Sequence, residues 1–163
     1  MQNKKLTILF LVLTILWMGV IFILSATPAT KSDRESKAVV RSVVTTTSKD
    51  DIENIDGLVD TLNKSFRKLA HASVYLVLAI LLSCYFGSLN KTKLLKYNLY
   101  SLIISFLYAC SDEYHQTFVI GRSGELTDVL IDTFGAIIGI VLFDIVYKLV
   151  IDRKNNELKK KVC

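Results

Sequence analysis

The chain has 163 residues, is 52% hydrophobic and contains a single proline, with a mean hydropathy of +0.43. Apolar stretches take up most of that length, which excludes a separate soluble domain of useful size. The net charge of +5 gathers at the ends of those stretches, as expected for a topology signal and contact with an anionic leaflet, not for a nucleic-acid footprint.

Lys4 and Lys5 precede a first apolar segment over residues 6–25. It is too long for the h-region of a signal peptide and reads as an uncleaved span. Residues 31–66 then form a polar stretch too long for a simple turn. Val39, Val40, Val43 and Val44 give one helical stripe. Ile52, Ile55, Leu58, Val59, Leu62 and Phe66 give a second, opposite Asp56, Asp60 and Lys64, and Ser48 suits its N-cap. This segment is expected to be an amphipathic helical cover on the outer side, packed on the bundle or resting on the leaflet.

Three further spans are expected, at residues 68–86, 94–111 and 127–151. Lys91, Lys93 and Lys96 lie between the second and third, and Lys148, Arg153, Lys154, Lys159, Lys160 and Lys161 follow the fourth. The loop between the third and fourth has one Arg against three acids. The positive-inside tendency then puts both termini in the cytoplasm. The expected architecture is an all-α integral membrane protein with four transmembrane helices and an extracytoplasmic amphipathic segment, in one domain over residues 1–163. Cys84, Cys110 and Cys163 make no disulfide framework, and the C-terminus has no prenylation motif.

Polar residues recur at helical spacing in the last three spans. Lys68, His71 and Tyr75 share one face. Ser101, Ser105, Tyr108, Asp112 and His115 or Gln116 share another, with Glu113 rotated about 100° away from it. Asp128, Asp132, Gly135 and Gly139 share a third. Helix packing accounts for the two glycines. A first-turn position accounts for Asp128, with Ser123 or Thr127 as the cap, but it does not account for Asp132 a turn deeper. Ionisable groups inside spans usually face a bundle interior or a polar cavity. Lys68, His71, Tyr75, Asp112, Glu113, His115, Gln116, Arg122, Asp128 and Asp132 are therefore the candidate ligand-binding residues.

Two separated pieces of sequence resemble the VanZ-like family of bacterial membrane proteins. One is Arg67-Lys68-x-x-His71-x-x-x-Tyr75. The other is Asp112-Glu113-x-His115-Gln116, then Gly121-Arg122, then Asp128-Val129-x-x-Asp132 and Gly135. Ser25, Ser32 and Ser36 resemble the serine-rich exit from that family's first span. Many members carry Asn where this chain has Asp132. The resemblance implies a cell-envelope setting and a contribution to resistance to the glycopeptide teicoplanin, the property associated with the family's founding member.

Three functions compete. Arg67, Lys68 and Arg122 suit an anionic, lipid-linked envelope component, a membrane lipid or precursor, with His71 or His115 as proton carriers. His71, His115, Asp112, Asp128 and Asp132 have the atom types for a metal-dependent membrane hydrolase, although no HExxH or other compact ligand motif is present and no cofactor is expected. The charges could also pair among themselves as a scaffold for a membrane-protein partner or a second copy of the chain.

Overall fold

The computed structural model describes residues 4–47, 55–89 and 94–162, and these form five helices. They are α1 (Lys4–Ser25), α2 (Ala29–Thr47), α3 (Ile55–Leu89), α4 (Leu94–Gln116) and α5 (Leu126–Val162). Lys4–Ser25, Ile55–Leu89 and Leu126–Ile151 are long and apolar enough to cross a membrane. The fourth expected span, in α4, is less apolar, because Ser101, Ser105, Asp112, Glu113 and Gln116 are buried along it. The expected cap at Ser48 and the loop lysines Lys91 and Lys93 fall outside the described residues.

The second amphipathic stripe and the second span are not separate elements. They are one 35-residue helix, α3, whose polar first turns run straight into the apolar stretch. No proline or glycine interrupts positions 58–86, so nothing in the backbone forces a break at residue 67. α2 lies along the first turns of α3. Val40, Val44 and Val59 are buried between them, with Ile55 packed alongside. Lys37 Nζ bridges Asp33 (3.0 Å) and Asp60 (2.9 Å), and Arg41 pairs with Asp56 at 2.6 Å.

α3 and α5 pack most closely. A Cβ at Gly135 would overlap the Ala72 carbonyl, and one at Gly139 the Leu76 carbonyl. The two glycines thus bring the α5 backbone onto α3, the packing role their spacing predicts. Tyr75, Leu78, Leu82, Ala109 and Val129 form the core with Ile21. α1 is tied in by polar contacts to main chain: the Trp17 indole donates to Val74 O at 2.9 Å, and the Tyr108 hydroxyl donates to Met18 O at 2.7 Å. Many other apolar side chains of α1, α4 and α5 remain exposed, among them Ile15, Ile23, Leu107 and Leu149. A continuous exposed apolar perimeter is what a lipid-facing bundle requires.

Candidate functional site

The bundle end that carries α2 is built around buried charges. α4 closes there with three hydrogen-bonding side chains in a row. Ser25 Oγ, at the last residue of α1, donates to Asp112 Oδ2 at 2.7 Å. Gln116 Nε2 donates to Glu113 Oε1 at 3.0 Å and more weakly to Asp112 Oδ2 at 3.3 Å. Arg122 Nη1 donates to Gln116 Oε1 at 3.1 Å. Glu113 lines neither of the cavities described below, as its helical rotation suggests, yet it is only 5% exposed. Its Oε2 accepts the Glu125 backbone N–H at 2.9 Å, which holds the loop that follows α4.

That loop turns at Gly121, whose φ of +75° lies in the left-handed region that glycine tolerates. Gly124 passes so close to the Glu113 carbonyl that a side chain there would collide with backbone. Glu125 then occupies the cap position of α5. Its carbonyl accepts from Asp128 N at 3.0 Å and Val129 N at 3.4 Å. Neither Ser123 nor Thr127 takes that place; Thr127 Oγ1 donates to the Glu125 side chain at 3.2 Å. Asp128 is in the first turn of α5, as predicted, where the helix dipole favours a carboxylate, and it pairs with Lys68 at 3.3 Å.

A cavity of about 440 Å³ opens between the first turns of α5, the middle of α3 and the 121–125 loop. Lys64, Arg67, Lys68 and Arg122 line it, against Glu125, Asp128 and Asp132, so four cations face three carboxylates. His71 and Gln116 are on the same wall. A second, smaller cavity of about 170 Å³ shares Arg67, His71 and Arg122. Its other walls are mixed: Ile21, Leu24, Phe66, Ala70 and Val74 of α1 and α3 give an apolar side, and Ser25, Thr27, Ser32, Glu35 and Ser36 a polar one.

Asp132 is fully buried on the wall of the larger cavity, and neither of its carboxylate oxygens has a hydrogen-bond partner among the described residues. His71 Nδ1 lies 4.0 Å from its Oδ2, close enough for an ion pair with a protonated ring and beyond hydrogen-bond reach. Leaving a buried carboxylate unbonded is costly, so its position is a feature to be explained. Arg122 keeps Nε unbonded and buried. Burial lowers its pKa from the ordinary value and the like charge of Arg67 lowers it further, while Asp112 and Glu113 oppose the change.

Of the ten sequence candidates, Lys68, His71, Gln116, Arg122, Asp128 and Asp132 meet on the larger cavity. Asp112 and Glu113 stand behind it, supporting Gln116. Tyr75 is enclosed in the core with its hydroxyl unpartnered among the described residues. His115 is on neither cavity; its ring stacks on Phe22 with centroids 4.4 Å apart. Sequence reasoning missed Asp33. Its carboxylate accepts from Asn63 at 2.7 Å, pairs with Lys37 and lies 3.9 Å from Arg67 Nη1. No spacing rule reveals it, since Asp33 and Arg67 are on different helices. Among the described residues, no three His, Cys, Asp or Glu side chains are grouped to hold a metal ion.

An all-helical membrane protein with a charged cavity at one end of its bundle is the class that these features define. A family model described as VanZ/LLP1 matches residues 10–147, and the chain belongs to that family. No curated protein and no solved structure matches the chain.

Proposed function

We propose that this VanZ-family protein crosses the bacterial cell membrane four times, with both termini in the cytoplasm, and binds an anionic, lipid-linked envelope component in the charged cavity at its outer end. The fourth crossing is α4. Its polar residues are turned into the bundle, where they meet partners instead of lipid, and Lys96 near its start suits the cytoplasmic interface. α2 and the first turns of α3 then form the extracytoplasmic cover.

The observation that carries this reading is the pair of cavities sharing Arg67, His71 and Arg122. One is lined by charge; the other adds an apolar side of Ile21, Leu24, Phe66, Ala70 and Val74 to a wall of hydroxyl groups and Glu35, which supports a ligand with a phosphate or carboxylate head and a hydrocarbon tail. Two guanidiniums offer planar, bidentate donors for such a head. A scaffold of mutually paired charges fits less well, because Asp132 and the Nε of Arg122 have no bonding partner among the described residues.

Teicoplanin is a lipid-bearing glycopeptide that acts at this membrane face, and a protein handling lipid-linked components there would alter susceptibility to it. The test is expression in a teicoplanin-susceptible host, comparing the wild-type chain with Arg122→Lys at matched membrane levels. Reduced susceptibility with the wild type, lost with the variant, is the expected result. Equal susceptibility with wild type, variant and empty vector would remove the resistance role.

A further inference from the structure

Resting on the anionic-lipid reading, one step further concerns His71. The chain has two histidines, and His71 is the one that lines the cavities. Its Nδ1 is buried and faces Asp132 at 4.0 Å, while the side chain keeps 28% of its surface. With Nδ1 buried, Nε2 is the ring nitrogen left to meet a ligand. Arg67 and Arg122 stand on the same two cavities. A carboxylate beside one nitrogen, with two guanidiniums on the cavities that the ring lines, suits nucleophilic attack on phosphorus: the carboxylate fixes the tautomer and stabilises the ring's positive charge, and the cations hold the phosphoryl oxygens.

We propose that His71 is the nucleophile in hydrolysis of the terminal phosphoryl group of a lipid diphosphate. Nε2 attacks the terminal phosphorus. The bond from that phosphorus to the bridging oxygen breaks, and the electron pair leaves with the lipid monophosphate. Nδ1 keeps its proton on the side that faces Asp132. Water then attacks the phosphohistidine, the N–P bond breaks, and orthophosphate is released. The proton from water passes to bulk or to the Glu125 carboxylate, which lines the same cavity. The net reaction is lipid diphosphate plus water to lipid monophosphate plus orthophosphate.

The leaving group is what selects a diphosphate over a monoester. An alkoxide must be protonated as it leaves, and of the three carboxylates on the cavity Asp128 pairs with Lys68, Asp132 lies on the Nδ1 side of His71, and Glu125 is exposed to solvent and bonded to the Thr127 hydroxyl. A phosphate leaving group is stable as an anion and needs no such donor. Lys64, Arg67, Lys68 and Arg122 supply more positive charge than a single phosphoryl group requires. The apolar side of the smaller cavity, walled by Ile21, Leu24, Phe66 and Val74, takes the first part of the chain. Asp132 is a positioning residue in this scheme.

The test uses the full chain in detergent micelles with farnesyl diphosphate as the probe. Binding and orthophosphate release are measured separately, with inorganic pyrophosphate as the comparison substrate. Wild type should release orthophosphate from farnesyl diphosphate in preference to pyrophosphate. A substrate labelled in its terminal phosphoryl group should leave acid-labile label on His71, located by peptide mass spectrometry. His71→Gln should bind the diphosphate and release nothing. Asp132→Asn should lower kcat by on the order of a hundredfold without raising KM, a split that a merely structural role would not give. Binding by wild type with no release and no label on His71 overturns the hydrolysis and leaves the binding reading standing. Release that persists in His71→Gln overturns the role of His71. Equal rates on pyrophosphate overturn the lipid specificity, and absence of binding overturns this inference together with the function it rests on.

Discussion

The Ser25 hydroxyl, at the end of α1, donates to Asp112 Oδ2 at 2.7 Å across 87 residues of sequence, and both groups are buried. This bond ties α1 to α4 beneath the charged cavity. With Gln116 3.3 Å away on the same oxygen, Asp112 has one short donor and one long one. Asp112 Oδ1 has none among the described residues.

Ser25→Ala is therefore expected to cost about 1–3 kcal/mol, because it removes the short donor to a buried carboxylate and adds nothing in its place. Reversible unfolding in mixed detergent measures this. A variant as stable as wild type would mean that the bond carries no net energy.

The α3–α5 contact predicts opposite outcomes for two glycines. Gly135→Val should cost about 3 kcal/mol or more and lower the folded yield, since its Cβ falls on the Ala72 main chain and backbone must move. Gly19→Ala should be tolerated or slightly stabilising, because a Cβ at Gly19 meets nothing within 4 Å and alanine is the better helix former. Folded yield by size-exclusion chromatography and detergent melting separates the two cases.

The α2–α3 hairpin should loosen in acid. The Lys37 hydrogen bond, first among several causes, holds the Asp33 pKa below its ordinary value of 3.8. For a carboxyl depressed on folding, the stabilisation is fully present above the unfolded pKa and disappears as pH falls through the folded one. Disulfide crosslinking between cysteines placed on α2 and α3 is too alkaline a reaction for that range, so limited acid proteolysis is the appropriate probe. Cleavage of α2 should rise below about pH 4, and Asp33→Asn should show raised cleavage at neutral pH. Added salt should weaken the contact too, since Lys37 and Asp60 are exposed. A pH-independent cleavage rate equal in wild type and variant would contradict this.

The orientation is checked with single cysteines at Ser88 and Ser123 in a background free of Cys84, Cys110 and Cys163. An impermeant thiol reagent added to intact cells should label position 123 and spare position 88. Labelling of 88 alone would invert the protein.

Much of this molecule was legible in its sequence, and the misreadings have physical causes. Apolar length located the α1 and α5 stretches, and four-residue glycine spacing marked α5 as a close-packing helix without showing that α3 is its partner. The family resemblance, resting on the motifs around His71 and Asp132, agrees with the match over residues 10–147. The pattern changes from amphipathic to apolar near residue 67, and a single sequence does not show that one helix runs through that change. Glu113 was placed one rotation off the polar face, which takes no account of a loop returning to that side. Its partner, the Glu125 N–H, belongs to the 121–125 connection. His115 fits the polar stripe as well as Gln116 does, and only the position of Phe22 shows that its ring is occupied elsewhere. The contacts of Asp33 join separate helices, and a single sequence gives no sign of them.

The central claim is that Arg67 and Arg122 hold an anionic head group whose chain lies along the apolar side of the smaller cavity. Binding of a labelled polyprenyl phosphate to the purified protein in neutral phosphatidylcholine nanodiscs tests it most directly, with wild type beside Arg67→Gln, Arg122→Gln and the double variant. Saturable wild-type binding is predicted, weakened about tenfold or more by each substitution, the scale of one lost charge-assisted hydrogen bond, while all four proteins melt at similar temperatures. Undiminished binding in the folded double variant, or no saturable binding by the wild type, would contradict the account.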